Sequence, residues 1–209
     1  MTEKLYISYD HIHKLCQEGA ERMKTKFRPD LMVAIGGGGF IPARILRTFL
    51  KEPGQKNIPI QAIGLSLYED LGAEDEANAA ETLGAQVVRT QWLDFGTMAQ
   101  RSVDFIGKTV LIVDEVDDTR TTLHYALSEL EKDVREQAER LGRQDEKTTF
   151  LIFVLHNKDK PKRAELPEAM MTEDRYVAAR TVPDVWIAYP WESRDITEHT
   201  KRAVAQGNN

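Results

Sequence analysis

The sequence predicts an α/β protein: a mostly parallel central sheet with helices flanking it. Three observations carry this. Short apolar runs alternate with stretches of helical periodicity along one continuous chain, the pattern of parallel strands joined by crossover helices. An apolar run at 31–35 stops at four consecutive glycines, Gly36 to Gly39, and a helical pattern follows at once. A second apolar run at 109–113 enters paired acids and then hydroxyl residues, which read as the start of another helix.

Taken in order, the elements are as follows. Ser8 is a candidate N-cap, and Ile12, Leu15, Cys16, Gly19, Ala20 and Met23 recur behind it at the spacing of one buried helical stripe. Cys16 lies inside that stripe and reads as a small buried hydrophobe. The run 31–35 is a strand, 41–51 a helix presenting Ile41, Ile45 and Phe49, and 58–65 a second strand, which together make a βαβ unit. Between Tyr68 and Val88 periodicity fades, and Glu69, Asp70, Glu74, Asp75, Glu76 and Glu81 occur without a single Lys or Arg. A connection this long is a functional loop or an insertion.

Strands are expected at 87–92 and 109–113, followed by a long charged helix lined by Leu123, Leu127, Leu130, Val134 and Leu141. The most apolar strand is 150–155, followed by a basic loop at 156–163. Short strands at 176–179 and 185–188 and a polar helix from about Ser193 complete the chain.

Composition narrows the function. With 28 Lys+Arg against 34 Asp+Glu, the net charge of −6 argues against a nucleic-acid binder working by bulk positive charge. The longest apolar run has six residues, far short of the ~20 that a membrane helix needs. A lone cysteine and an N-terminus without an apolar signal core suit a reducing, cytoplasmic setting. No Pro/Gly/Ser-rich seam divides the chain, so 1–209 is expected to form a single domain.

The chemistry concentrates in Asp114-Glu115-Val116-Asp117-Asp118-Thr119-Arg120-Thr121-Thr122. In a parallel sheet, ligands bind beyond the carboxyl ends of the strands. Thr119, Thr121 and Thr122, with the free N–H groups of a helix start, suit a phosphate dianion. Asp114 and Glu115 would repel phosphate, so they are expected to face ribose hydroxyls or a metal carried by the ligand. Helix capping by Asp118 or Thr119 is the plainer alternative, and it accounts for only one of the four acids.

This segment resembles the phosphoribosyl pyrophosphate motif of the type I phosphoribosyltransferases, in which four apolar residues precede two acids, two apolar residues, an acid or small residue, and Thr-Gly-x-Thr. The chain departs from the pattern at Asp117, where an apolar residue is usual, and at Arg120, where glycine is usual. The resemblance implies the type I phosphoribosyltransferase fold, with a small hood of short C-terminal segments spanning 156–192 and a flexible catalytic loop at 66–88 that opens with Ser66 and Tyr68. It implies that Asp118 takes the purine N7 proton, and that Asp117, Thr119, Arg120, Thr121 and Thr122 line the substrate site. Asp114 and Glu115 would serve both substrate and Mg²⁺.

Gly36, Gly37 and Gly38 resemble the family's pyrophosphate loop. Many relatives have Arg or Lys where Gly37 stands, so the cation would come from Arg44, Arg89 or Mg²⁺. By the same resemblance, Lys158 would donate to the exocyclic oxygen of a 6-oxopurine, Trp186 would stack on the base, the Ile187 backbone would read its edge, and Glu192 would accept from the 2-amino group of guanine. The implied activity is transfer of a phosphoribosyl group from phosphoribosyl pyrophosphate to hypoxanthine and guanine, giving IMP, GMP and pyrophosphate. The implied assembly is a homodimer. A xanthine-preferring transferase and a non-catalytic phosphoribosyl pyrophosphate sensor are the alternatives.

Overall fold

The structure, a computed structural model, describes residues 4–68, 86–94 and 104–209. The elements run β1 (Lys4–Tyr6), α1 (Tyr9–Lys24), β2 (Leu31–Gly36), α2 (Phe40–Leu50), β3 (Ile60–Tyr68), β4 (Gln86–Gln91), β5 (Thr109–Asp117), α3 (Thr121–Leu141), β6 (Thr149–Asp159), α4 (Glu168–Thr172), β7 (Tyr176–Pro183), β8 (Trp186–Ala188), a single 3-10 turn (Pro190–Glu192) and α5 (Ile196–Ala205).

Six strands form one sheet in the order β4-β3-β2-β5-β6-β7. All neighbours are parallel except the edge strand β4, which runs antiparallel to β3. Successive strand residues face opposite sides, so the apolar residues of each strand divide between two layers. Met32, Ala34, Leu111, Val113, Leu151 and Phe153 pack with α1 and α2. Val33, Ile35, Val110, Ile112, Phe150 and Ile152 pack under α3. Burial on both faces explains why the central strands read as continuous apolar runs.

In α1 the hydroxyl of Ser8 accepts from the His11 N–H at 3.0 Å, and the buried stripe is Ile12, Leu15, Cys16, Gly19, Ala20 and Met23 as expected. Elsewhere the structure corrects the sequence. The buried face of α2 is Pro42, Ala43, Leu46 and Leu50, while Ile41, Ile45 and Phe49 are only partly covered. In α3 the stripe ends at Ala138 and leaves Leu141 exposed.

Strands β5 and β6 each run four residues beyond their apolar runs, through Asp117 and Asp159. The ladder continues because its hydrogen bonds join backbone to backbone, whatever the side chains carry. The last paired positions of β5 and β6 are Val116 with His156 and Asp117 with Asn157, so four of the residues expected in a basic loop lie on a strand. Helix α5 starts three residues later than expected, where the Asp195 carboxylate caps the Glu198 N–H at 3.0 Å.

Two elements lie outside the sequence expectations, α4 and β1. Strand β1 pairs in parallel with β8 in a separate two-stranded sheet, which sets Lys4 opposite Trp186. Residues Ser66 and Tyr68 belong to the end of β3, not to a loop, and 86–88 belong to β4. The rest of the expected catalytic loop, 69–85, falls outside the described residues.

Candidate active site

The carboxyl ends of β2 and β5 open onto a cavity of about 290 Å³ lined by Gly36, Asp114, Glu115, Asp118, Thr119 and Thr122, among others. Each group is placed by the way β5 ends. Asp114 is buried, and its carboxylate accepts from the Glu115 N–H at 2.9 Å. Burial first, and then the charge of Glu115, push the Asp114 carboxyl well above the usual carboxylate range. A buried carboxyl raised in this way beside a second acid favours a cationic partner. Hard oxygen donors in this number suit Mg²⁺, which commonly takes one or two protein carboxylates and fills its octahedron with water and phosphate oxygens. Among the described residues no cluster of three or more His, Cys, Asp or Glu is placed to hold a metal by itself.

The glycine loop packs against this acid pair. The peptide between Gly36 and Gly37 is cis. A side chain at Gly38 would overlap the Glu115 carboxylate, whereas at Gly37 it would meet nothing within 4 Å. The Glu115 side chain could swing away from Gly38, but at Gly39 a side chain would run into the backbone carbonyls of Val113 and Ile35, so it is Gly39 that close approach requires in this loop. The two arginines considered as its cation are committed elsewhere: Arg44 bonds Thr48 on its own helix at 3.0 Å, and Arg89 pairs with Glu129 and lies 4.1 Å from the centre of the Trp92 ring.

Beyond β5 the chain turns through Arg120, whose φ of 70° is left-handed, a conformation that normally favours glycine. The guanidinium bonds the Asp117 carboxylate through Nε and Nη2, both at 2.9 Å. Tyr176 donates to the same carboxylate oxygen at 2.7 Å, and Arg120 lies 5.2 Å from the centre of the Tyr176 ring. Asp117 has no exposed surface. The two departures from the family pattern are thus one ion pair, in which Arg120 holds the Asp117 carboxylate at the border of the cavity. Neither Asp118 nor Thr119 caps α3: the N-cap is Arg120, with no side-chain cap bond. The hydroxyls of Thr119 and Thr121 lie 3.0 Å apart at the helix start, where the first N–H groups lack intrahelical partners.

Asp118 meets the other half of the site. Its carboxylate lies 3.2 Å from the Lys158 ammonium and 2.8 Å from that of Lys160, and Asp184 faces the same two lysines at 3.5 and 3.0 Å. Partial burial raises the Asp118 pKa, but the two lysines outweigh it and hold the carboxyl below its usual value. Trp186 is 59% exposed, and the Ile187 side chain is buried beside it.

Partial burial, and then the charge of Glu115, raise the Glu192 carboxyl above its usual range. Buried Tyr189 joins the hood to β5, donating to the Glu115 carbonyl at 3.0 Å. That hydrogen is then spent, so the His156 Nδ1–H donates to Tyr189 at 2.8 Å. Burial lowers the His156 pKa to about 4, so its ring is neutral near pH 7.

The basic loop expected at 156–163 includes two further lysines of the site, Lys160 and Lys162, and no role was expected for Tyr176, Asp184 or Tyr189. Lys162 in fact donates at 2.9 Å to each of the carbonyls of Asp117, Asp118 and Lys158. A basic run carries no sign that its partners lie some 40 positions upstream.

Comparison with known proteins agrees with this geometry. Residues 3–139 match the family model described as the phosphoribosyl transferase domain. Over its full length the chain is 63% identical to xanthine phosphoribosyltransferase 1 of Saccharomyces cerevisiae, covering 99% of that protein. It is 61% identical to the hypoxanthine-guanine phosphoribosyltransferase of the same yeast, covering 94% of it. Among solved structures, a hypothetical protein from Neisseria gonorrhoeae with bound ppGpp superposes with a TM-score of 0.72 at 35% identity, with 99% of this chain and 98% of that one covered. A left-handed turn carrying threonines behind an acid pair, set in a chain that matches these proteins from end to end, makes it a member of the phosphoribosyltransferase family.

Proposed function

We propose that the protein transfers the 5-phosphoribosyl group of phosphoribosyl pyrophosphate to the 6-oxopurines hypoxanthine and guanine, releasing pyrophosphate. One observation carries the choice of acceptor. Lys158 and Asp118 stand side by side, a cationic donor next to a carboxylate acceptor. A 6-oxopurine protonated at N7 presents the complementary pair on one edge, O6 as acceptor and N7–H as donor. A 6-amino group would set donor against donor.

The residues divide the work accordingly. Thr119, Thr121 and Thr122 with the start of α3 hold the 5-phosphate. Asp114 and Glu115 receive the ribose hydroxyls and would hold Mg²⁺, which when bound neutralises the pyrophosphate. The backbone around Gly36, Gly37 and Gly38 admits the leaving group closely. Trp186 stacks on the base, Ile187 offers backbone to its edge, and Glu192 accepts from the 2-amino group of guanine. As the bond from C1 to pyrophosphate lengthens, positive charge builds on the ribose, as in glycoside cleavage. Asp118 takes the N7 proton as the new bond forms. Ser66 and Tyr68 end β3, and we assign the covering of the reacting centre to the stretch of sequence that follows them.

That the related Neisseria gonorrhoeae structure has bound ppGpp supports nucleotide recognition by this chain. A xanthine-preferring enzyme is the second reading, favoured by the 63% identity to a xanthine phosphoribosyltransferase. We assign the chain, as one catalytic domain spanning 1–209, to the cytoplasm and to a homodimer; of the 156–192 stretch expected as a hood, the end of β6 and all of β7 belong to the central sheet, and β8 with the 3-10 turn lies outside it. The test is a spectrophotometric assay with Mg²⁺, phosphoribosyl pyrophosphate and hypoxanthine, guanine or xanthine. IMP and GMP are the expected products. Transfer to xanthine alone would establish the second reading, and no transfer to any of the three would overturn both.

A further inference from the structure

We propose that Lys162 is a positioning residue that couples the base half of the site to the phosphoribosyl half, a role distinct from that of the substrate-facing Lys158. The inference rests on the phosphoribosyltransfer reading above and concerns a residue that this reading leaves without a task.

The geometry is specific. Strands β5 and β6 run in register as far as Asp117 opposite Asn157. Beyond that point they part: β6 goes on to Asp159 beside β7, and β5 turns away through Asp118 and Thr119 toward α3. A strand leaving its partner gives up the ladder donors to its carbonyls, and these need another donor.

The Lys162 ammonium meets that need. It is 14% exposed and donates at 2.9 Å to the carbonyls of Asp117, Asp118 and Lys158. An ammonium has three hydrogens, so all three are spent on the backbone. The Asp117 carboxylate lies 3.5 Å away on the same side and balances the charge. Next in sequence, the Arg163 N–H donates to the Thr119 carbonyl at 3.0 Å and closes the seam.

Two of the three carbonyls belong to Asp118 and Lys158, the acceptor and the donor assigned to the base. The third, with the Thr119 carbonyl, belongs to the turn assigned to the phosphate. One cation therefore fixes the spacing of three functional groups while itself having no hydrogen left for a ligand. Lys160, two residues earlier, differs: it spends its ammonium on the carboxylates of Asp118 and Asp184.

Removing the ammonium should loosen both halves together. For Lys162→Met, kcat/KM is expected to fall by about 10- to 100-fold, the scale of losing charged hydrogen bonds that position other groups. KM should rise for the purine and for phosphoribosyl pyrophosphate alike. Lys162→Arg keeps the charge, but a planar fork cannot serve three carbonyls converging on one point. It should fold, melt near the wild type and recover only part of the loss, which keeps the test decisive if the Met variant is insoluble.

The measurements are kcat and both KM values at a temperature well below melting, with melting curves alongside. A lower melting temperature with kcat and both KM values within about twofold of wild type would make Lys162 purely structural and overturn the proposal. So would a change confined to one substrate's KM, which would make it a reader of that substrate. If the wild-type chain transfers to no 6-oxopurine, the functional reading fails first; if the wild type turns over and the Lys162 variants match it, only the coupling role fails.

Discussion

The two halves of the site are built differently. The phosphoribosyl half, from Asp114 to Thr122, continues a strand buried on both faces, and its turn is held by Arg120, Tyr176 and Lys162 around buried Asp117. The base half takes Lys158 from the end of β6, but the rest of it hangs on a three-residue strand, with Trp186 largely in solvent and Asp184 reaching the site through partly exposed ion pairs. The half that holds the ligand portion common to every substrate is pre-organised, and the half that chooses among bases is lightly framed. That asymmetry accords with two relatives of nearly equal identity, 63% and 61%, carrying names for different bases.

The largest effect should come where the halves meet. Asp118→Asn keeps the shape and removes the proton acceptor, so kcat is expected to fall by about 10² to 10⁴ while the affinity for phosphoribosyl pyrophosphate stays near wild type. Steady-state kinetics with equilibrium binding would check this, and an equal loss of binding would place Asp118 within the rigid half instead.

Rigidity itself is tested next. Arg120→Gly restores the residue usual for the turn but removes two charged hydrogen bonds from buried Asp117, leaving it Tyr176 and the more distant Lys162, at a cost of about 1 to 3 kcal/mol in urea unfolding. Replacing the group together, with Asp117→Leu, Arg120→Gly and Tyr176→Phe, should recover most of that loss. A neutral Arg120→Gly would mean that the phosphoribosyl half is not held by this pair.

Lys158→Ala should weaken hypoxanthine and guanine by about 1 to 3 kcal/mol, the scale of a charged hydrogen bond. It should also remove one of the two cations that lower the Asp118 pKa. A base must be ionised to act, so as that pKa rises, the acid limb of the kcat/KM profile should move to higher pH. A pH-rate profile checks the sign; a limb moving to lower pH would contradict the pairing.

Trp186→Ala should have the smallest effect. Base affinity is expected to fall by about 1 kcal/mol, the low end for stacking on an aromatic ring. The melting temperature should scarcely change, because the ring is 59% exposed. A large drop in melting temperature would show the hood to be as well braced as β5.

Much of the rigid half could be read in the sequence, for a physical reason. Its signals are local: an apolar strand, a glycine run, and acids and threonines within one turn, each tied to neighbours in the chain. The α1 stripe from Ile12 to Met23 was legible for the same reason. What could not be read depends on distant partners. Strand β1 is three residues, too short for any period, and exists because β8 pairs with it. Lys160 and Lys162 look like a solvated run until β5 and β6 are laid side by side. Asp117 and Arg120 look like two separate departures from a motif until the left-handed turn brings them together. The ends of β5 and β6 were missed because polar side chains hid a backbone ladder indifferent to them.

The pairing of β1 with β8 bears on the order in which the molecule acquires its parts. Trp186 stands opposite Lys4, and the same small sheet is tied by bonds from the Tyr6 N–H to Gln206, from Gln206 to the Lys4 carbonyl, and between His199 and the Ile7 carbonyl, which join positions 192 to 202 residues apart. Closing loops of that span costs more entropy than pairing β5 with β6, whose partners lie 40 positions apart, so nearby contacts should form first. A newly made chain would thus own its phosphate turn before it owns a platform for the base. In refolding followed by pulsed hydrogen exchange, the amides of β5 and β6 are expected to gain protection before that of Ile187, and simultaneous protection would show that the platform condenses with the core.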